Sequence, residues 1–258
     1  MNSTFPFLVD THAHLCSPDF DRDLGEVLAR ARQAGVGAVI AVGETLADAA
    51  RNLQIAEQYP MIRPAAGLYP TVLDRDQADA LHGFIRQHRL RLAAIGEVGL
   101  DYWAVKEEPA RELQRDILRG FIRLAEEVDL PLNVHSRSAG RHAVDFLLEC
   151  GARRVQMHAF DGKASTALPA AEAGYFFSVP PSVVRSRQKQ KLVKRLPLTC
   201  LLVESDSPVL GPDPTVRNEP ANLPVAVRAI AEIKGSPEQL VVEAVATNTV
   251  RLYGEKIV

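Results

Sequence analysis

The residues of this chain that can do chemistry together are histidines and carboxylates standing where apolar runs end. His12 and His14, in Val9-Asp10-Thr11-His12-Ala13-His14, follow the apolar run Phe5 to Val9. Strand side chains alternate faces, so this spacing sends both imidazoles to one side of a strand's C-terminal end, as a pair of metal ligands. Alone, the same spacing also describes two polar residues of a strand-end loop. Four later segments favour ligands. Ile95-Gly96-Glu97-Val98-Gly99-Leu100-Asp101-Tyr102 brings Glu97 and Asp101, and Asn133-Val134-His135-Ser136-Arg137 brings His135. Gln156-Met157-His158-Ala159-Phe160-Asp161-Gly162 brings His158, and Glu204-Ser205-Asp206-Ser207-Pro208 adds two carboxylates. Four histidines and two or three carboxylates at five strand ends can ligate two metal ions and activate a water for hydrolysis. By contrast, His82, His88 and His142 fall on or beside predicted helices and read as solvated surface residues. Cys16 has no partner and reads as a buried thiol.

These groups must be positioned by the elements before them. Apolar, β-branched runs predict strands over 5–9, 36–42, 61–68, 92–98, 130–134, 154–157, 175–179 and 199–204. Between them, helical spacing of apolar residues predicts helices over 22–34, 45–59, 75–88, 108–128, 139–149, 164–173 and 183–195, with two more over 222–253. Asp21 or Ser17 is the candidate cap of the first helix, and Gly35 its stop. Eight short strands alternating with helices predict a parallel α/β architecture, and the length matches a (β/α)8 TIM barrel built as a single domain over 1–258. A doubly wound open sheet is the alternative, but no GxGxxG turn follows the first strand. In a barrel, the chemistry belongs at the C-terminal ends of the strands, where the histidines and carboxylates stand.

Composition narrows the function classes. A formal charge of -2 offers no global attraction to nucleic acid, so phosphate binding must be local. Three cysteines, Cys16, Cys150 and Cys200, form no CxxC pair and point to a reducing, cytoplasmic setting. No stretch reaches about 18 apolar residues, which argues against a membrane span. No feature calls for an obligate protein partner.

The motifs Asp10-Thr11-His12-Ala13-His14-Leu15, Gly96-Glu97-Val98-Gly99-Leu100-Asp101, His135-Ser136-Arg137, His158-Ala159-Phe160-Asp161-Gly162 and Glu204-Ser205-Asp206-Ser207-Pro208, with Arg217-Asn218-Glu219-Pro220, resemble the signatures of the TatD family. These are metal-dependent hydrolases with deoxyribonuclease members, among the amidohydrolase-like barrels. The stretch 176–196 and the phrase His135-Ser136-Arg137-Ser138-Ala139-Gly140-Arg141 look most like the subgroup called TatD domain-containing protein three. The resemblance implies that His12, His14 and Asp206 hold one metal, and that Glu97 bridges to a second held by His135 and His158. It implies DNA as the substrate and exonucleolytic cleavage. Three positions depart from the pattern: Tyr69 stands where the family often has His, facing the substrate, and Ala13 and Ala159 stand where Cys is common. Many two-metal barrels bridge their ions with a carbamylated lysine, but the first lysine here is Lys106. A bridge from the fourth strand must therefore be a fixed carboxylate, and Glu97 is the one in that strand's terminal stretch before Asp101.

Two metals about 3.5–4 Å apart can activate a bridging water and neutralise phosphoryl charge. Asp206 can orient that water or accept its proton, or serve as a ligand alone; Glu204 can orient a histidine. Arg137 and Arg217 can clamp a phosphate or pair with local carboxylates. The run Arg185 to Arg195, with six positive charges in eleven residues, is either a solvated helix face or the lining of a nucleic-acid path. Imidazole-rich ligand sets suit Zn²⁺ or Mn²⁺, whereas the resemblance implies Mg²⁺. A small-molecule amide, lactone or phosphoester substrate is the alternative on the same metals, and a non-catalytic metal-binding protein a third reading.

Overall fold

Each apolar run closes against the next in the computed structural model of the protein, which describes residues 7–257. The strands are β1 (Leu8–Ala13), β2 (Val36–Ala41), β3 (Ile62–Ala66), β4 (Ala94–Gly99), β5 (Leu132–His135), β6 (Val155–Met157), β7 (Phe176–Val179) and β8 (Leu201–Val203). They pair in parallel in chain order, β1 through β8. β8 returns beside β1, where the Thr11 hydroxyl donates to the Val203 carbonyl (2.9 Å) and the Asp206 N–H to the His12 carbonyl (2.9 Å). The helices α1 (Leu24–Gln33), α2 (Leu46–Gln58), α3 (Arg75–His88), α4 (Glu108–Val128), α5 (Gly140–Glu149), α6 (Ala164–Glu172), α7 (Arg187–Arg195), α8 (Leu223–Lys234) and α9 (Glu238–Tyr253) wrap the outside. This is a (β/α)8 barrel, as the alternation of elements predicts.

The period of two along each strand sorts the core into two compartments. Outward residues such as Val39, Ile95, Val134, Met157, Phe177 and Leu201 join the large core shared with helix residues such as Phe121 and Leu147. Inward residues Ala38, Ile40, Ala65, Ala94, Phe176 and Leu202 form a smaller cluster, plugged by Leu252, Tyr253 and Ile257 from the chain's end. One step further along the strands the inward positions turn polar: Asn133, Gln156, Ser178 and Glu204 are all buried. Apolar packing therefore fills the barrel's lower half, and its upper half is reserved for polar groups, each of which needs a partner. Tyr253 links the halves, since its hydroxyl donates to Gln156 Oε1 (2.5 Å).

Three local expectations change. The first strand, predicted over 5–9, begins at Leu8 and runs through His12, while Phe5 and Pro6 lie outside the described residues. Asp10, Thr11 and His12 read as a strand end because they are polar, yet all three are buried with partners inside the barrel. The basic helix, predicted from 183, starts at Arg187 with Ser186 as its cap, after a 3-10 turn over Pro181–Val184. Ser17 caps a 3-10 turn, Pro18–Phe20, and not α1. No helix among the described residues is long and apolar enough to cross a membrane.

Candidate metal centre

The C-terminal ends of β1, β4, β5, β6 and β8 open into one cleft of about 730 Å³, with His14, Glu97, His135, His158 and Asp206 in its lining. His12 lies fully buried beneath. His12 Nε2 stands 3.2 Å from His14 Nε2, 3.5 Å from Asp206 Oδ1 and 3.7 Å from Glu97 Oε2. His14 Nε2 is 3.3 Å from Glu97 Oε2 and 3.6 Å from Asp206 Oδ1. Donors about 2.1 Å from one tetrahedral ion stand about 3.4 Å from each other, so these separations match the edges of a coordination shell. The other oxygen of Glu97 faces a different pair: Oε1 lies 2.6 Å from His135 Nδ1 and 3.6 Å from His158 Nε2. One carboxylate thus divides its two oxygens between two groups of donors.

Hydrogen bonds on the far side of each ring decide which nitrogen is free. Asn133 donates its amide to the Thr11 carbonyl (2.9 Å), so its oxygen faces His12 and accepts from Nδ1 (2.8 Å). The lone pair of His12 is thereby on Nε2, pointing at the donors. Glu204 accepts from His158 Nδ1 (3.1 Å) and leaves Nε2 inward in the same way. Its oxygens also accept from Ser178 (2.5 Å) and the Ala159 N–H (2.8 Å), so Glu204 positions His158. The rings of His12 and His158 stack at 3.6 Å. His135 is turned the other way. Asp101 Oδ2 accepts from its Nε2 (3.1 Å), which frees Nδ1 toward Glu97. From the sequence, Asp101 is a candidate carboxylate without this role, and Asn133 has none. Their signal is the spacing of four after Glu97 and of two before His135.

The electrostatics call for positive charge between these donors. Burial drives His12 well below the ordinary imidazole value, with the His158 charge acting in the same sense, so it is neutral and able to ligate. Burial also works downward on His14 and His135, but the charge of Glu97, with Asp206 and Glu44 near the first and Asp101 near the second, carries each up to about 9. Burial pushes Glu97 upward, yet the His135 charge and hydrogen bond hold it well below the usual carboxylate range. Burial lifts Asp206 to about 6 against the pull of His158 and His14. Glu97 Oε2 is buried with no hydrogen-bond partner. A buried, ionised oxygen with no hydrogen-bond donor, beside the lone pair of neutral His12 and a His14 that its charge draws toward protonation, fits a divalent cation in the proton's place.

The remaining candidates separate. Tyr69 lines the cleft, its ring edge-on to His135 at 5.1 Å. Burial, with Glu97 and Asp101 nearby, raises its phenol, which stays protonated. Arg137 lines the cleft too, its guanidinium 3.8 Å over the ring of exposed Trp103. Arg217 is not brought there. It pairs with Asp23 (2.5 and 2.9 Å), hydrogen-bonds the Asp19 carbonyl and lies over Phe20, so the local salt bridge is the arrangement observed. Replacing Arg217 with alanine is expected to leave catalysis within about twofold and to cost up to about 1 kcal/mol of stability, read by thermal melting. Of the basic run, Arg187, Lys191, Lys194 and Arg195 are exposed on α7, and Lys189 alone lines the cleft. The other histidines are not uniformly solvated: His82 packs edge-on against Phe121 (4.6 Å) with a buried Nε2, and His88 tilts against Phe84. His142 is exposed as expected. Cys16 donates to the Val42 carbonyl (3.5 Å), and burial lifts its thiol to about 12.

Asp101→Asn tests the tautomer argument. Oδ1 of Asp101 already accepts from the Ala104 N–H (2.8 Å), so an amide keeping that bond turns its NH2 toward His135 Nε2 and forces the proton onto Nδ1. Metal affinity is expected to fall about 10- to 100-fold, measured by competitive chelation.

A family model described as TatD related DNase matches residues 9–254. The human protein named Deoxyribonuclease TATDN3 is 45% identical over 262 residues, covering 95% of this chain and 94% of its own. YabD of Bacillus subtilis, named an uncharacterized metal-dependent hydrolase, is 33% identical over 254 residues, covering 95% and 98%. The crystal structure of YjjV, a TatD homologue from Escherichia coli, superposes with a TM-score of 0.88 at 29% identity, covering 95% of this chain and 97% of that one. A family match over nearly the whole length, on a barrel of the same form, means that this chain belongs to the TatD related DNase family.

Proposed function

We propose that the protein is a two-metal hydrolase of phosphodiester bonds in DNA, acting exonucleolytically. The observation that carries this is the division of the Glu97 oxygens between two donor groups, His12, His14 and Asp206 on one side and His135 and His158 on the other. Divalent ions bound there supply Lewis acidity, which neutralises phosphoryl charge and lowers the pKa of a nucleophilic water. The chain's own residues do the rest. Glu97 holds the two groups in register. Asp206, with one oxygen toward His12 and His14, presents its carboxylate to the cleft, where it orients the water or accepts its proton. Tyr69, a protonated phenol, donates a hydrogen bond to substrate oxygen, and Arg137, held flat by Trp103, offers paired N–H groups to phosphate. The four imidazoles favour zinc or manganese over magnesium. Free thiols at Cys16, Cys150 and Cys200 support a cytoplasmic setting.

The test is to incubate metal-reconstituted protein with end-labelled single-stranded DNA, beside a His135→Ala control, and to assay metal content. Mononucleotide release by the wild type alone, with about two metals per chain, is the expected result. No more than about one metal per chain overturns the two-metal reading. Turnover of small esters without DNA cleavage overturns the DNA reading.

A further inference from the structure

Lys189 is the one member of the basic run that the fold turns inward. Its Nζ donates to the Ala159 carbonyl (3.0 Å), next to the ligand candidate His158. It forms no ion pair among the described residues, although the charges of Glu204, Asp206 and Asp161 act on it from a distance. An ammonium has three N–H bonds, so two remain for an acceptor entering the cleft. The placement is firmly held. Ala159 adopts a left-handed backbone (φ 37°), its N–H committed to Glu204 and its carbonyl to Lys189.

A purely structural role would tie α7 to the loop after β6. Gln188 already does that, donating to the Phe160 and Gly162 carbonyls (3.2 and 2.6 Å). A second tether needs no charge, and although the charges of Glu204, Asp206 and Asp161 reach the ammonium, none of these carboxylates pairs with it, so two of its N–H bonds have no acceptor among the described residues. The substrate class supplies that acceptor. The chain's net charge is -2, so attraction to a phosphate has to come from individual side chains in the cleft. Arg137 leans toward Trp103, in the loop after β4. Lys189 stands on the side of β6 and β7, beside His158.

We propose that Lys189 is a phosphate-binding residue whose ammonium takes a non-bridging oxygen of the phosphate seated at the metal centre. The inference rests on the phosphodiester reading above and adds to it a named cation for the scissile phosphate. A lysine serves there as a mobile point charge, whereas Arg137 offers a planar fork, so the two complement each other.

The experiment uses metal-loaded full-length protein and inorganic phosphate as the probe, with affinity read by titration calorimetry. Lys189→Gln, which keeps a donor for the Ala159 carbonyl, is expected to weaken phosphate about 10- to 100-fold with metal content and melting temperature unchanged. Lys189→Arg is expected to retain most of the affinity, and Lys191→Gln, exposed on the same helix, all of it. On single-stranded DNA the slope of log affinity against log salt is expected to fall by about 0.7 in Lys189→Gln. Wild-type phosphate affinity in Lys189→Gln overturns the assignment. So does a parallel loss of metal or fold in both Lys189→Gln and Lys189→Arg, which marks a structural tether. If wild-type protein binds phosphate through Lys189 but cleaves no DNA, the DNA reading falls and the assignment stands.

Discussion

Glu97→Gln is expected to lower DNA cleavage by about 10³-fold while leaving the fold intact. The carboxylate is 1% exposed and supplies an oxygen to each donor group. An amide of the same size keeps the packing but presents one oxygen and one NH2. Whichever way it turns, it aims N–H donors at one set of donor nitrogens: His12 and His14, or His135 and His158. One of the two proposed metal positions would therefore lose a ligand and meet two positive hydrogens. Removing several kcal/mol of charge stabilisation from the transition state corresponds to a rate loss of that order. The measurement is steady-state nucleotide release together with elemental analysis, and metal content is expected to fall from about two ions per chain to one or fewer. Retention of two metals with activity within about tenfold of wild type would falsify the bridging role.

Gly99→Ala is expected to destabilise the protein by about 3 kcal/mol and to weaken metal binding at the same time. Gly99 ends β4 at φ 151°, a conformation that side chains rarely adopt. A Cβ there would lie 2.1 Å from the His135 carbonyl oxygen and 2.8 Å from its nitrogen. Backbone atoms of a paired strand cannot move aside as a side-chain tip can, so β5 must shift, carrying His135 away from Glu97 and Asp101. For a chain of this size, 3 kcal/mol corresponds to a fall of about 6–12 °C in melting temperature. A drop of less than about 2 °C, with metal affinity unchanged, would show that β4 and β5 accommodate the methyl group.

Much of this protein is legible from its residues. Helical spacing places α3 over 75–88 and α4 over 108–128 as observed, because each buries a single apolar stripe and so shows a clean period. β1 is harder, since its buried polar residues mimic a loop in hydropathy. Hydropathy measures transfer from water and is blind to hydrogen-bond partners supplied from across a barrel. The same limit explains His82, whose helix pattern reads as surface but whose ring rests against Phe121.

At the candidate metal centre the division has a physical basis. The sequence by itself determines that His12, His14, Glu97, His135, His158 and Asp206 reach one end of one barrel, because alternation along a strand and chain-order pairing leave little freedom about where a strand-end side chain points. Only the tertiary structure decides which atom of each faces the donors, since that depends on Asn133, Asp101 and Glu204 at the back of the rings, contributed by other strands. It also decides which cations matter. Arg217 is spent on Asp23 and Lys189 is turned into the cleft, because a charge run has no preferred face until packing orients its helix.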